Sequence, residues 1–586
     1  MTELKITHRI CLLVLISLFL GVSPVCAFTE TPDEDDAVFT ALEDEMSRTQ
    51  KRLKLDKHEK PYFVQYKVIE SDIYYLAASC GAISQDRRSR SRRLYTDLRV
   101  GDYKLDSSGG GSGLSGLFGS KSGTSGRQLP VEDDYYAIRQ EVWLDTDDAY
   151  KKAIETYEEK KAHLKSNPEQ DRLGDWTREK PVVFIKPSVK LEVDEKKWKD
   201  ATRKLSSLFL KYPEVENSVV VFSAQAGNAW LINNEGFKHR DGKLQTVLSA
   251  SAKVRAEDGK TYSDVEFFTS LDPKDMPSLE VMEKRIDALV KRLIRVSQAP
   301  LAEEFSGPVL FSPEAAGPLL HATLSQTVAG ANEKSGGESI FQHAHPFKNK
   351  IGSRVASRML TVVDNPNATE FKGQQLFGSY EVDDDGVPAR EITLIEKGVL
   401  KTLCTSRIPT RGVDGSNGHS GNGVGTVSIL MVSADPSISA KKLKKKLIDL
   451  GKEQGYDYVY IARRIAQMPD WLMNMGAAIS SVFSKIQGSL SLQPTELYRV
   501  SVANGKEELV RGASILVQPS RLLRDISAAG NEQKAVLVAQ GQYNAMSIVV
   551  PAVIVRDVDI QEPSKKAEKP PILPSPLITP EASPSP

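Results

Sequence analysis

Two periodicities alternate along this chain. From Tyr62 to Leu105 apolar residues come at the short spacing of strands, with Phe63, Val64, Tyr66, Val68, Ile73 and Tyr75, then Leu94, Tyr95, Leu98 and Val100. Ahead of them, Thr31, Pro32 and Glu34 read as an N-cap, a first-turn proline and a capping-box acid. Val38, Leu42 and Met46 then recur four apart, which predicts a helix to about Leu55. Two further helices are predicted from Asp147 to about Leu164 and from about Glu195 to Tyr212, the second with Trp198, Ala201, Leu205, Leu208 and Phe209 as its apolar stripe. Strands are expected between Val219 and Ser270, turning at Asn234, Glu235 and Gly236 and again at Asp258 and Gly259. A long helix from Ser278 to about Val296 shows Val281, Met282, Ile286, Leu289, Val290 and Leu293 on one side.

The pattern changes at Gly307. Val309, Leu310 and Phe311 predict a short buried strand, and Ser312, Pro313 and Glu314 cap a helix that contains Leu319, Leu320 and His321. After Val355 the chain reads mostly as strand, with a hairpin at Lys397 and Gly398. A helix from about Ser439 to Leu450, ended by Gly451, interrupts it, and strands resume at Tyr456 to Ile461. A further amphipathic helix is expected over Trp471 to Ile486 and a final strand near Ile548 to Val555. The fold class is α+β: an N-terminal α/β domain over 28–305, interrupted by a Gly/Ser-rich loop at 107–126, then a mostly β domain over 306–560 and a Pro-rich tail over 561–586.

Charge and cysteine content narrow the function classes. Lys and Arg together number 77 and so do Asp and Glu, so no global field draws the 586-residue chain to nucleic acid or an anionic membrane. The basic cluster Arg87, Arg88, Arg90, Arg92, Arg93 and Arg99 lacks a nucleic-acid-binding motif and suits an exposed sheet edge or a protein contact. The lysines at 441, 442, 444, 445 and 446 suit the solvated face of a helix. Lys5 and Arg9, the apolar run Ile10 to Leu20 and the small residues up to Ala27 read as a secretory signal peptide over 1–27. The run is too short for a membrane span, and export, most simply to a periplasm, is expected. Acylation at Cys26 is disfavoured by Pro24 and Val25. Cys80 and Cys404 then remain, too few for a disulfide framework and without zinc-ribbon spacing.

The runs GPVLFSPEAAGPLLH (307–321), IGSRVASRMLTVVDN and FGSYEVDDDGVPAREITLIEKGVLKTLCTSRIPTR resemble, in order, the core of the TldD/PmbA family, also known as modulators of DNA gyrase. Weaker similarity extends to WLINNEG upstream and to RGASILVQPSRLLRDISAAGN and VVPAVIVRDVDIQ downstream. The resemblance implies a metallopeptidase fold whose active members hold zinc with an HExxxH helix and a cysteine from the C-terminal region. Two imidazoles and a thiolate leave zinc a position for water, and the glutamate takes that water's proton. Here the segment reads HATLSQ. His321 stands at the first ligand position, Ala322 replaces the general base, and Gln326 stands at the second ligand position. No cysteine follows Cys404. An amide is a poor zinc ligand and alanine moves no proton.

Three readings follow. The resemblance implies a non-catalytic, PmbA-like subunit or peptide-binding pseudopeptidase without zinc, forming a homodimer or a heterodimer with a TldD/PmbA homologue. An alternative is an active metallopeptidase with zinc in a rearranged site of His321, His343 and His345, the last two being spaced to share a strand face but set among Gly336, Gly337, Ser339 and Pro346, as in a loop. A third is an envelope interaction protein. The run Gly418 to Gly425, GHSGNGVG, matches neither a nucleophile elbow nor a phosphate loop and is expected to be a mobile loop near a peptide cleft.

Overall fold

The computed structural model describes residues 36–108, 126–168, 172–330, 346–347, 349–421, 423–466, 489–540, 544–562, 571 and 576–577. The signal-peptide reading, most of the Gly/Ser loop, His343 and His345, the Trp471 to Ile486 helix and nearly all of the tail lie outside the described residues. No described helix is long and apolar enough to cross a membrane.

Seven strands form the first sheet: β1 (Pro61–Ser79), β2 (Ala82–Val100), β3 (Arg127–Leu129), β4 (Val183–Ile185), β5 (Val215–Asn233), β6 (Lys238–Arg255) and β7 (Thr261–Ser270). Their order is β3-β2-β1-β5-β6-β4, with β7 also on β6. The turns expected at Asn234 to Gly236 and at Asp258 and Gly259 join β5 to β6 and β6 to β7. One apolar face is covered by α1 (Ala37–Arg52) and α2 (Tyr135–Ser166), which bury Leu42, Met46, Ile138 and Val142 against Val64, Tyr66, Leu94 and Trp230. Helices α3 (Glu195–Ser207) and α4 (Leu279–Gln298) bury Trp198, Leu205, Ile286 and Leu289 against Phe222 and Leu248. The chain beyond α3 tightens into a 3₁₀ turn at Leu208–Lys211.

Aspartates cap both α1 and α2, and the second helix starts earlier than expected. The N-cap of α1 is Asp36, while the Thr31, Pro32 and Glu34 expected to cap it lie outside the described residues. The Asp36 carboxylate accepts from the amides of Val38 and Phe39, both at 3.0 Å, and from Trp230 Nε1 at 2.8 Å and Arg240 Nη1 at 2.7 Å, which ties the helix start to the sheet. Helix α2 starts at Tyr135, well before Asp147, because Asp134 caps it and Ile138 and Val142 reach the core. The acids Asp145, Asp147 and Asp148 break the apolar rhythm where the sequence reading placed the start; Asp145 and Asp148 face Arg127. The arginine cluster lies on β2, and three of its members meet β1 acids across the ladder. Arg88 forks onto Asp72 (3.0 and 2.8 Å), and Arg90 and Arg92 share Glu70 (3.0 and 2.5 Å). Arg92 also reaches Asp133, and Arg99 pairs with Asp97 and Asp106, so fixed acids hold these guanidinium groups in place.

The second sheet has twelve described strands: β8 (Phe305–Phe311), β9 (Leu360–Asp364), β10 (Ile392–Glu396), β11 (Val399–Leu400), β12 (Leu430–Ala434), β13 (Tyr458–Ile465), β14 (Leu490–Leu492), β15 (Pro494–Ser501), β16 (Glu507–Val510), β17 (Ser514–Val517), β18 (Ile526–Gln540) and β19 (Asn544–Gln561). The main path runs β11-β10-β9-β12-β19-β8-β13-β15-β16; β17 joins β14 and β19, and β18 pairs with β19. Pairing is antiparallel except between β12 and β19 and between β8 and β13. Helix α5 (Pro313–Thr327) and the short α7 (Pro519–Asp525) bury Leu319, Leu320, Leu324, Leu522 and Leu523 on one face, against Ile548, Val550 and Val553. Helix α6 (Ala440–Glu453) covers the other with Leu443, Leu447 and Leu450 on Val459, Ile461 and Ile554. Gly451 does not end this helix. A side chain there would meet Val459 Cγ1 at 2.6 Å, so the glycine lets α6 close onto the sheet, and the left-handed exit falls at Gly455, φ +76°.

A buried charge joins the two sheets. Arg407 donates to both oxygens of Glu235 (2.7 and 3.0 Å) and twice to the carbonyl of Thr177 (3.0 and 2.6 Å). Its guanidinium lies 4.8 Å from the Trp176 ring centre, and Arg99 lies 3.5 Å from the same ring. The turn at Asp383 to Gly386 docks on the β5–β6 hairpin: Gly386, φ +83°, leaves no room for a β-carbon, which would sit 2.9 Å from the Phe237 ring.

Candidate functional site

Helix α5 sets the geometry. Strand β8 leads into it at Ser312, whose hydroxyl donates to the Arg463 carbonyl at 2.6 Å and fixes the helix start to β13. Within the helix, Thr323, Ser325 and Thr327 donate back to the carbonyls of Leu319, His321 and Thr323 at 2.8, 2.7 and 2.9 Å. His321 is buried, and burial pushes its pKa down from 6.5 to about 4, with the Asp364 carboxylate opposing the shift. It is a neutral core imidazole at pH 7. Ala322 and Gln326 are half-buried on the same helix. The family's zinc site does not fit these residues: one of its two helix imidazoles is replaced by an amide, and its carboxylate by a methyl group.

A second group of donors converges nearby, none of which the sequence pattern alone assigns to a site. Asp364 ends β9, Cys404 follows β11 and Ser428 precedes β12, while His419 enters a short ribbon of Ser420–Gly421 and Val424–Gly425. One ligand atom each from Asp364, Cys404 and His419 lies within 4.8 Å of the others, and all three side chains are fully buried. The Cys404 thiol donates to Asp364 Oδ2 at 3.6 Å, and the Ser428 amide donates to the same oxygen at 2.8 Å. The Ser428 hydroxyl donates to Asp364 Oδ1. Burial pushes the Cys404 thiol pKa well up, and the Asp364 charge adds to that.

Asn417 organises this group. Its side chain accepts from the Thr405 amide at 2.9 Å and donates to the Leu403 carbonyl at 2.7 Å, straddling Cys404. Its own carbonyl lies 3.1 Å from His419 Nδ1. A carbonyl only accepts, so Nδ1 carries the hydrogen. Nε2 then faces Asp364 Oδ1 at 3.8 Å and has no hydrogen-bond partner among the described residues.

The run Gly418 to Gly425 is therefore not simply a loop beside a cleft; its first residues are core. Ser420 donates its amide to Asp383 Oδ2 at 2.9 Å, and the Asp383 carboxyl also takes the amides of Asp385 and Val387 at 3.0 and 2.8 Å. Burial first, and then the neighbouring Asp385, raises the Asp383 pKa. Tyr380 donates to the Gly418 carbonyl at 3.2 Å, its phenol pKa raised by burial and by Asp364. Cys80 is exposed and Cys404 buried, and both are free thiols.

A cleft of about 390 Å³ opens between the sheets, walled by β7 at Asp264 to Thr269 and by β18 at Lys534 to Leu537. Among the described residues β7 pairs only with β6, and β18 pairs with β19 and, away from the cleft wall at Lys534 to Leu537, bridges Ile438 at Gly530. Ion pairs stud the walls, Arg464 with Glu266 at 3.3 Å and Lys534 with Glu314 at 3.0 Å.

These features define a two-sheet α+β protein in which a helix and a mostly β half enclose a buried ligand-type cluster. Residues 305–562 match the PmbA/TldA metallopeptidase C-terminal domain, which places this region of the chain in the TldD/PmbA family. It is 34% identical over 116 residues to a metalloprotease of Methanocaldococcus jannaschii, covering 20% of this chain and 23% of that protein. It is 31% identical over 157 residues, 26% of this chain and 29% of the relative, to a metalloprotease TldD homolog of Buchnera aphidicola. The chain thus spans about a quarter of the length of these relatives. The fold is that of TldE from Thermococcus kodakarensis, at 14% identity and TM-score 0.54 over 89% of this chain and 99% of that one. A Thermotoga maritima protein, crystallised as a candidate modulator of a DNA gyrase, shares it at 18% identity and TM-score 0.58 over 89% and 100%.

Proposed function

We propose that this is an exported, non-catalytic TldD/PmbA-family protein that binds extended peptide and works as a homodimer or beside a homologue with an intact HExxxH helix. The observation that carries the reading is HATLSQ on α5, where Ala322 and Gln326 remove the base and the second ligand while the helix itself is retained and packed. The cleft supports the binding half. Where β7 and β18 line it, at Asp264 to Thr269 and Lys534 to Leu537, each has a strand partner on one side only, and an extended segment satisfies its own amides and carbonyls by adding to such an edge. The alternating charges of Glu266, Arg464, Glu314 and Lys534 offer polar anchors along it.

The test uses a fluorescein-labelled unfolded casein fragment with purified protein. Anisotropy should rise on mixing, mass spectrometry should find the fragment intact after prolonged incubation, and Arg464→Glu should weaken binding several-fold. Cleavage that a chelator stops and that His321→Ala removes would overturn the non-catalytic reading. No anisotropy change at protein concentrations up to about a millimolar would overturn the peptide-binding one.

A further inference from the structure

We propose that Asp364, Cys404 and His419 form a closed site for one borderline-soft divalent cation of the zinc class, distinct from the position at which active family members bind metal. Tautomer comes first. Because Asn417 O must accept from Nδ1 at 3.1 Å, a neutral His419 presents a bare lone pair at Nε2. That lone pair faces a carboxylate oxygen at 3.8 Å, too far for a hydrogen bond, and it is fully buried without a partner among the described residues. Buried polar atoms are nearly always satisfied, so two facing electron-rich atoms ask for a cation between them.

The spacing fits one. Bonds of roughly 2.0–2.3 Å to nitrogen, oxygen and sulfur set tetrahedral edges of roughly 3.3–3.8 Å. Nε2 lies 3.8 Å from Asp364 Oδ1 and Sγ 3.6 Å from the other oxygen, Oδ2, and one ligand atom from each residue lies within 4.8 Å of the others, so a small inward shift of the side chains closes them on an ion. Charge fits as well: as the cation binds, Cys404 gives its proton to solvent, and a thiolate plus a carboxylate neutralise a dication in the core. Thiolate and imidazole donors select zinc over magnesium or calcium. The supporting contacts are already made, with Ser428 holding Asp364 and the Asn417 carbonyl holding His419. Full burial of all three ligands keeps substrate away, so the ion stabilises the fold and the site does not depend on the peptide-binding reading.

The test is metal content and cobalt spectroscopy on the full chain, expressed with zinc or cobalt in the medium. Mass spectrometry should find about one zinc per chain in the wild type and in His321→Ala, and none in Cys404→Ser or His419→Gln. In a variant with Cys11, Cys26 and Cys80 all changed to Ser, cobalt-grown protein should show a thiolate-to-cobalt charge-transfer band, because Cys404 is then the sole thiol. Absence of metal from the wild type, absence of that band, a full equivalent kept by folded Cys404→Ser or His419→Gln, or its loss in His321→Ala would each overturn the proposal. The band needs no ligand variant, so it decides the matter even if the core substitutions fail to fold.

Discussion

Replacing Arg407 by Met should weaken the joint between the two sheets. The side chain is 1% exposed and holds four hydrogen bonds, two to Glu235 and two to the Thr177 carbonyl. Methionine fills much of the volume against Trp176 but leaves the Glu235 carboxylate, only 14% exposed, with Tyr103 Oη at 2.5 Å as its remaining partner there. Breaking a buried pair from one side costs about 3–5 kcal/mol, and the tyrosine contact places this case near the lower end, about 3 kcal/mol. Urea unfolding followed by tryptophan fluorescence reads the loss, with Trp176 as a reporter at the joint. Since a chain of this size need not unfold in one step, the transition to watch is the earliest one. Arg407→Lys keeps the charge but not the fork, so it should recover only part of the stability. A double-mutant cycle with Glu235→Gln should show coupling of about 1.5–3 kcal/mol. A loss under about 0.5 kcal/mol for Arg407→Met, or additivity in the cycle, would refute the view that this pair holds the sheets together.

Acid should weaken the first sheet through His239, whose ring stacks at 5.6 Å from Phe184 and 6.0 Å from Phe237 and whose pKa burial lowers to about 4, against the pull of Asp241. The fold holds it neutral, so its contribution is complete above pH 6.5 and is lost as pH falls toward 4, amounting to about 3 kcal/mol; His239→Gln should flatten that part of the stability–pH curve, and an unchanged slope would count against it. Gly386→Ala should cost about 2 kcal/mol, because it adds a β-carbon 2.9 Å from the Phe237 ring at φ +83°; a melting temperature within a degree of wild type would show that the turn yields. Restoring the pattern with Ala322→Glu and Gln326→His together should not create chelator-sensitive cleavage of a casein fragment, since among the described residues the nearer thiol, Cys404, is engaged with Asp364. Cleavage in that double variant would mean that a third ligand is available to α5 after all.

What could be read from the sequence was what lies close together along it. The β1–β2 and β5–β6–β7 ladders, the Ser278-capped α4, the Pro313-led α5 and the Lys397–Gly398 hairpin all announce themselves within a dozen residues, by period and by turn chemistry. The errors came where a local signal had a non-local cause. Gly451 looked like a helix stop but is a contact glycine against β13, and the acids of α2 looked like a start because their arginine partner lies outside the helix.

The buried cluster is the extreme case. Asp364, Cys404 and His419 come from three separate segments, brought together because β9 lies between β10 and β12 and because Asn417 clamps the residues on either side of Cys404. No spacing rule links residues so arranged, and a cysteine alone reads as an inert core thiol. One sequence signal was available: with Ala322 and Gln326 disabling α5, the histidine in GHSGNGVG and the only cysteine of the C-terminal half were the remaining soft donors on that side of the chain outside the His343 and His345 stretch. Read together, they ask where such donors meet. The fold brings them to one carboxylate, so loss of the family's zinc ligands on α5 and presence of a metal in this protein are separate questions, and chelation experiments here must read cleavage and metal content independently.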